Sequence, residues 1–194
     1  MTPFLSQISQ CSPYLYPMPN IVYIATSIDG YIAGKNGDIK WLIEYPNPEQ
    51  SDYGFFDFMK GIDALIMGRN TFEIVNGFDT WMYNRPVFVI SNTLAELTGK
   101  WADKAELIKG DLKDVVAQFN AKGINNIYVD GGKTIQSFMA LDMIDKLVIT
   151  TIPVVLGGGI PLFGESAQLN FKHESTDIYT GGLVKNTFTR DRGV

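Results

Sequence analysis

Five short runs of almost continuous hydrophobic residues alternate along the chain with amphipathic segments. Each run has the length of a β-strand and is rich in β-branched residues, which is typical of strands buried on both faces of a parallel sheet. We predict strands at residues 21–27, 64–68, 87–91, 127–130 and 147–152.

The segments between these runs have helical patterns. In residues 111–123 (DLKDVVAQFNAKG) apolar residues recur at i, i+3, i+4 and i+7, and a glycine marks the end. Residues 133–141 show a similar apolar face, and residues 52–61 form a helix-length segment with four aromatic residues. Strands that alternate with helices predict a parallel α/β sheet.

The end of the chain has a different pattern. Residues 176–190 (TDIYTGGLVKNTFTR) contain two strand-like runs joined around a Gly-Gly pair, which predicts an antiparallel hairpin at one edge of the sheet. The predicted fold is α/β, with a mostly parallel central sheet, helices on both faces and a C-terminal antiparallel hairpin. It forms one domain at residues 21–194.

Composition narrows the class of protein. The net charge of −5 and the pI of about 4.8 argue against an extended nucleic-acid surface. A single cysteine, Cys11, and a single histidine, His173, exclude an internal disulfide framework and a Cys/His zinc cluster. No apolar run is long enough to span a membrane. Residues 1–20 carry no charged side chain, so we expect a disordered extension there. They also lack the features of a secretory signal, so we expect a cytoplasmic protein. From the cysteine and histidine counts we expect no metal.

Glycine and polar residues follow four of the predicted strands. Ligands of open α/β sheets bind beyond the carboxyl ends of the strands, and helix N-termini attract phosphates. Two such helices side by side would suit a dinucleotide, although each glycine taken alone is also compatible with a simple turn. The four segments are Ile28-Asp29-Gly30, Gly68-Arg69-Asn70-Thr71, Ser91-Asn92-Thr93 and Gly131-Gly132-Lys133-Thr134.

Two common nucleotide motifs do not fit. The Gly-Lys-Thr at residues 132–134 resembles the end of a Walker A loop, but Ile127 stands where that motif needs its first glycine. A Rossmann dehydrogenase is the other alternative, but no G-x-G-x-x-G follows the first strand.

Five segments, in this order along residues 20–190, instead resemble the dihydrofolate reductase-like superfamily. The most similar branch is the reductase domain of the bifunctional riboflavin-biosynthesis deaminase-reductase. The segments are IVYIATSIDGYIAGKNGDIKWL, DALIMGRNTFE, RPVFVISNT, IYVDGGKTIQSFM and VITTIPVVLGGGIPLF.

This resemblance implies an NADPH site. Gly131 and Gly132 would let the backbone approach the cofactor where a Cβ would collide. Arg69 would bind the 2′-phosphate that distinguishes NADPH from NADH, or would form a surface salt bridge as the alternative. The residues implied in cofactor binding are Gly68, Arg69, Thr71, Ser91, Asn92, Gly131, Gly132, Lys133 and Thr134.

For the substrate, the resemblance implies Asp52 as the catalytic carboxylate. The insert IEYPNPEQS before it leaves the register open, so Asp57 is a second candidate, and Asp52 could instead be a first-turn acid after an N-cap at Ser51. Residues 32–41 correspond to a mobile loop that closes over the nicotinamide, although Trp41 could be a core residue. The implied substrate-binding residues are Ala25, Ile32, Trp41 and Phe56.

The function implied by the resemblance is an NADPH-dependent reductase that acts on a small heterocycle. The family default for this substrate is 5-amino-6-(5-phosphoribosylamino)uracil. The resemblance also implies a homodimer formed through the C-terminal strands. The deaminase motifs are absent from the sequence. Residues 51–63 carry one lysine and three phenylalanines, which favour a pterin- or quinone-like ring over a phosphate. The alternatives are a dihydrofolate or pterin-type reductase and a nucleotide-binding protein without turnover.

Overall fold

A computed structural model describes residues 19–193 and places them in a mixed α/β fold. The ten strands are β1 (Asn20–Ser27), β2 (Tyr31–Ala33), β3 (Ala64–Gly68), β4 (Val87–Ile90), β5 (Ala105–Ile108), β6 (Ile127–Asp130), β7 (Lys146–Ile152), β8 (Ile160–Pro161), β9 (Asn170–Tyr179) and β10 (Leu183–Asp191). The helices are α1 (Lys40–Ile43), α2 (Phe55–Lys60), α3 (Arg69–Asn76), α4 (Leu112–Ala121) and α5 (Gly132–Ala140), with a 3₁₀ turn at Ala102–Lys104.

Eight strands form the central sheet in the order β5-β4-β3-β6-β1-β7-β10-β9. The first six are mutually parallel, whereas β10 runs antiparallel to both β7 and β9. All five predicted strands are confirmed to within one residue at each end. The predicted C-terminal hairpin is also confirmed, and its turn lies at Gly181 and Gly182, which have φ values of +90° and +80°.

The sheet has a hydrophobic core on each face. Along β6, Ile127 and Val129 pack against α4 and α5, while Tyr128 between them packs on the opposite face with residues of α2 and α3. This alternation explains why the strand is hydrophobic at every position, since neither of its faces meets water.

The N-terminal boundary lies slightly earlier than predicted. Asn20 is buried at the start of β1, where its backbone N–H donates to Asp145 Oδ2 at 2.9 Å and its Nδ2 donates to the Met143 carbonyl at 2.7 Å. Of the predicted disordered extension, residues 1–18 lie outside the described residues. Among the helices in residues 19–193, none is long and apolar enough to cross a membrane.

Candidate functional site

A cavity of about 710 Å³ lies at the carboxyl ends of β1, β3, β4 and β6. This is the edge of a parallel sheet where ligands bind, and the volume is typical of a small-molecule site. One part of the wall is polar and comes from the first turns of α3 and α5 and the loop after β4. The other part is apolar and includes side chains of β1, β2, α1 and α2.

Gly68 and Gly131 let the N-termini of α3 and α5 approach each other closely. A Cβ on Gly131 would overlap Thr71 Oγ1 of α3, and a Cβ on Gly68 would lie 2.9 Å from Thr134 Oγ1 of α5. Gly131 also has φ of +89°, which residues with a side chain rarely adopt. Each helix therefore begins against the first turn of the other.

This geometry gives the glycine pair a packing role in addition to the predicted approach to a cofactor. A Cβ on Gly132 would meet Ile32 Cδ1 at 2.9 Å and Ile160 Cγ2 at 3.2 Å, so Gly132 allows α5 to begin against β2 and β8. The space where a side chain would stand at Gly131 or Gly132 is occupied by protein atoms. The two glycines also line the cavity, so their predicted approach to a cofactor stays a prediction beside this packing role.

The first turns of α3 and α5 lack side-chain caps. The residues at their N-cap positions are Gly68 and Gly131, which offer no side-chain acceptor. By contrast, the side chain of Asp111 accepts from the Lys113 N–H and caps α4. Uncapped first-turn N–H groups carry partial positive charge and attract anions. The polar part of the wall therefore presents two adjacent helix ends whose partial positive charge would attract an anion.

Two cationic side chains, Arg69 and Lys133, lie on the same part of the wall. Arg69 Nε is 3.6 Å from Glu73 Oε1, and both side chains are exposed. An exposed pair of this spacing contributes only about 0.3–0.5 kcal/mol. The surface salt bridge that was the alternative for Arg69 is thus present, but it is too weak to prevent the guanidinium from binding an anion.

The loop after β4 contributes only one of its two predicted residues. Asn92 lines the cavity, and its Oδ1 accepts from the Gly110 N–H at 2.9 Å. Ser91 is not part of the wall. Its Oγ accepts from the Leu94 N–H at 3.2 Å, so this hydroxyl closes the turn of its own loop.

Asp130, at the end of β6, is the one carboxylate among the cavity-lining residues of the described chain. Its Oδ1 accepts from the Gly131 N–H at 2.8 Å. Burial raises the pKa of Asp130 to about 6, against the opposing effect of that hydrogen bond. The sequence prediction missed this residue, although a polar residue that ends an apolar strand just before a Gly-Gly pair is a usable signal.

Aromatic rings form much of the apolar wall. The Tyr23 ring stacks on Phe58 with centroids 4.6 Å apart, and Phe55 meets Tyr23 edge-on at 5.8 Å. Tyr23, Phe55 and Tyr128 reach the cavity, whereas Phe58 supports them from behind. Burial raises the pKa of Tyr23 to about 12, so this hydroxyl stays neutral at physiological pH.

The structure does not place either predicted acid on the cavity wall. The exposed Asp52 carboxylate accepts from the N–H groups of Gly54 and Phe56, which lowers its pKa and ties it to the start of α2. Asp57 is also exposed, and its Oδ1 lies 2.6 Å from Lys60 Nζ. The first-turn alternative for Asp52 is not exact either, because the N-cap position is Gly54 and the acid in the first turn is Asp57. Asp52 lies before α2 and accepts from N–H groups at its start.

The aromatic prediction for α2 is shifted by one residue. Phe56 is 63% exposed and is not part of the wall, while its neighbour Phe55 is. The helix begins later than predicted because Tyr53 and Gly54 have left-handed φ values of +54° and +88°. This delayed start turns Phe55 toward the cavity.

Of the predicted substrate-binding residues in β1 and the segment that follows it, two line the cavity and one does not. Ala25 and Ile32 line the cavity, as do Ile39 and Leu42. Trp41 does not, and its buried Nε1 has no hydrogen-bond partner among the described residues. Trp41 is half-buried and belongs to neither hydrophobic core, so the structure favours neither alternative for it, and closure of this loop over a ligand stays a prediction.

Comparisons with known proteins agree with this fold. The RibD C-terminal domain family matches residues 20–185. A crystal structure of a Shewanella sp. PV-4 protein named for riboflavin biosynthesis is 49% identical, with a TM-score of 0.85, and the match covers 90% of this chain and 99% of that one.

Two more distant structures share the fold. One is a diaminohydroxyphosphoribosylaminopyrimidine deaminase/5-amino-6-(5-phosphoribosylamino)uracil reductase from Thermotoga maritima, with 14% identity and a TM-score of 0.69 over 89% of this chain and 57% of that chain. The other is the dihydrofolate reductase of Enterococcus faecalis in complex with NADP(H), with 19% identity and a TM-score of 0.63 over 90% of this chain and 98% of that chain.

Proposed function

The chain belongs to the RibD C-terminal domain family, and from this membership and the cavity we propose that it is an NADPH-dependent reductase of a small heterocycle. The observation that carries the proposal is the reciprocal contact of Gly68 with Thr134 and of Gly131 with Thr71, which places two uncapped helix ends on one cavity wall. A dinucleotide with a pyrophosphate and a 2′-phosphate matches such a wall.

The residues present fit NADPH. The first turns of α3 and α5 would hold its phosphates, with Lys133 as a cation and Thr71 and Thr134 as hydroxyl donors on the wall. Arg69 would take the 2′-phosphate through a charged, forked hydrogen bond, which NADH cannot offer. The NADP(H) in the Enterococcus enzyme of the same fold supports this choice.

When bound, NADPH supplies a hydride, and the protein must supply the rest. Reduction of a C=N or C=O bond adds that hydride to carbon and a proton to nitrogen or oxygen. Asp130 is the titratable carboxyl group on the wall, and its pKa of about 6 leaves part of it protonated near neutral pH. We assign the proton delivery to Asp130 in place of Asp52. The apolar wall around Tyr23 and Phe55 would align the ring and exclude water.

Two heterocycles are candidates for the substrate, namely 5-amino-6-(5-phosphoribosylamino)uracil, which is the family default, and a pterin-type ring. A protein that binds the nucleotide without turnover is the rival from a different class. Titration with NADPH and NADH, followed by absorbance at 340 nm with candidate heterocycles, separates these possibilities. We expect NADPH to bind more tightly than NADH and to be consumed. Tight NADPH binding without consumption on any candidate would favour the rival.

A homodimer through the C-terminal strands belongs to the same proposal. The edge strand β9 and the neighbouring β10 present that surface. Light scattering of the purified protein gives the mass in solution, and a monomer of 21.6 kDa would contradict it.

A further inference from the structure

The apolar part of the cavity carries information about the substrate. Its wall includes the rings of Tyr23 and Phe55 and the aliphatic side chains of Ile39 and Leu42, and Asp130 is its neighbour at the end of β6. Flat apolar surfaces of this kind bind planar rings through their faces and edges. A phosphate placed there would lose its hydration with no cation on that part of the wall to compensate, so its burial would be unfavourable.

Two cationic side chains line the cavity in the described part of the chain, Arg69 and Lys133. Both lie in its polar part, in the first turns of α3 and α5. If NADPH occupies those turns, its own phosphates use both. Residues 1–18, which precede the described chain, contain no lysine or arginine.

The lysines nearest the apolar part are committed elsewhere or lie off the wall. Lys185 is 13% exposed and donates to the Tyr53 carbonyl and the Tyr179 hydroxyl, with Asp177 Oδ2 at 3.2 Å. Lys60 is exposed and paired with Asp57. Lys35 and Lys40 are exposed residues of the loop and of α1 that do not line the cavity.

From this distribution of charge we propose that the physiological substrate is an uncharged planar heterocycle without a phosphate group. The inference rests on the proposed function, because it assumes that the dinucleotide takes the polar part of the wall. It differs from the family default in one testable feature, namely the phosphate on the substrate.

The test compares two ligands that differ only in that phosphate with a third, unphosphorylated ring. The probes are 5-amino-6-(5-phosphoribosylamino)uracil, its dephosphorylated ribosylamino form and a dihydropterin. Each is titrated by calorimetry into the full-length protein saturated with NADP⁺. We expect the dephosphorylated form to bind about tenfold or more tightly than the phosphorylated one, and the dihydropterin to bind as well. Tighter binding of the phosphorylated form, or binding of none of the three, would overturn the proposal.

A charge added to the apolar part gives an independent check. Leu42→Arg should improve binding of the phosphorylated compound by about tenfold relative to the matched Leu42→Gln, which alters the same position of the wall without adding a charge. If Leu42→Arg has no effect and the phosphorylated compound already binds best, the phosphate is recognised elsewhere and the proposal is wrong.

Because these experiments measure binding, their outcome can be distinguished from the presence or absence of reductase activity. Selective binding of the unphosphorylated rings without NADPH consumption would sustain the inference about the ligand and refute the proposed reductase activity. NADPH consumption with the phosphorylated compound at the higher kcat/KM would do the reverse.

Discussion

Lys185 Nζ lies 3.1 Å from the carbonyl oxygen of Tyr53. The same carbonyl accepts from the Tyr23 hydroxyl at 2.6 Å and from the Tyr179 hydroxyl at 2.8 Å, so three donors from β1, β9 and β10 converge on one backbone atom. Tyr53 has a left-handed φ of +54° and is followed by Gly54 at +88°. These hydrogen bonds connect the C-terminal hairpin to the turn from which Phe55 enters the cavity.

We expect Lys185→Met to weaken substrate binding without weakening nucleotide binding. Loss of a largely enclosed charged donor should cost roughly 1–3 kcal/mol of unfolding free energy. The loosened turn should raise KM for the heterocycle, while the Kd for NADPH, measured in the same variant, stays within about twofold. The control is Lys60→Met, which removes an exposed lysine with a single exposed partner. Equal effects on both ligands would show that the hairpin stabilises the fold as a whole.

Arg69→Ala should weaken NADPH far more than NADH. A charged hydrogen bond contributes about 1.5–3 kcal/mol, which corresponds to roughly ten- to a hundredfold in Kd for NADPH alone. The matched control is Glu73→Gln, which removes the partner 3.6 Å from Arg69 Nε and should leave NADPH binding intact or slightly improved. Equal losses for both nucleotides would mean that Arg69 does not select the 2′-phosphate.

The contact between α3 and α5 predicts a coupling energy between Gly68 and Thr134. Gly68 has φ of −83°, so Gly68→Ala introduces no backbone strain and tests the contact with Thr134 Oγ1 at 2.9 Å alone. We expect it to lower stability by roughly 1–3 kcal/mol and the added Thr134→Ala to restore part of that loss. Gly131→Ala should cost more, because its φ of +89° adds strain. The stabilities of the two single variants and the double variant are measured by urea denaturation. Additive effects of Gly68→Ala and Thr134→Ala would contradict the contact.

Much of the fold follows from local sequence. The five predicted strands are each hydrophobic enough to be found without knowledge of their neighbours, and the Gly181-Gly182 turn marks the hairpin. The strand β5 is missed because the exposed Glu106 interrupts its four residues, so they do not form a continuous apolar run like those of β4 and β6. The two-residue β8 is too short to leave any periodicity.

The site is harder to predict because its register depends on distant residues. Whether Phe55 or Phe56 reaches the cavity is decided by the left-handed turn at Tyr53, which is held by donors more than a hundred residues away in the chain as well as by Tyr23. Asp52 looks like a site residue in the sequence, but the N–H groups of α2 occupy its carboxylate. Gly68, Gly131 and Gly132 line the cavity as expected, whereas Gly30 does not, and the sequence does not show that a Cβ at the first three would meet protein side chains.

Asp130 predicts a pH dependence of stability with a definite sign. Its pKa is about 6 in the folded protein against a usual 3.8, so the folded state keeps a proton that the unfolded state releases between about pH 4 and pH 6. Stability from this group is therefore greatest below pH 4 and falls as the pH rises through that window, by up to roughly 3 kcal/mol. Asp130→Asn should become more stable relative to the parent protein as the pH rises from 4 to 7. This change in relative stability is measured as the difference in urea midpoint between the two proteins. Other carboxylates contribute equally to both proteins, so their effects cancel in that difference. One of them is Asp63, whose pKa is lowered by the N–H groups of Asn126 and Asn125, so that its effect on stability has the opposite sign.

The same carboxyl group predicts the pH profile of catalysis. If Asp130 delivers the proton, the active form is the protonated one, so kcat should fall about tenfold for each pH unit well above its pKa in the bound complex. Asp130→Asn should lower kcat by about a hundredfold or more and should flatten this limb, because an amide cannot titrate. The Kd for NADPH in this variant should stay close to that of the parent protein, since Asp130 lies two residues before Gly132, where α5 begins, and its Oδ1 hydrogen bond can be kept by an amide oxygen. Asp52→Asn serves as the matched control and should retain the limb, because its carboxylate is tied to α2 outside the cavity. A limb that survives in Asp130→Asn and disappears in Asp52→Asn would return the catalytic role to Asp52.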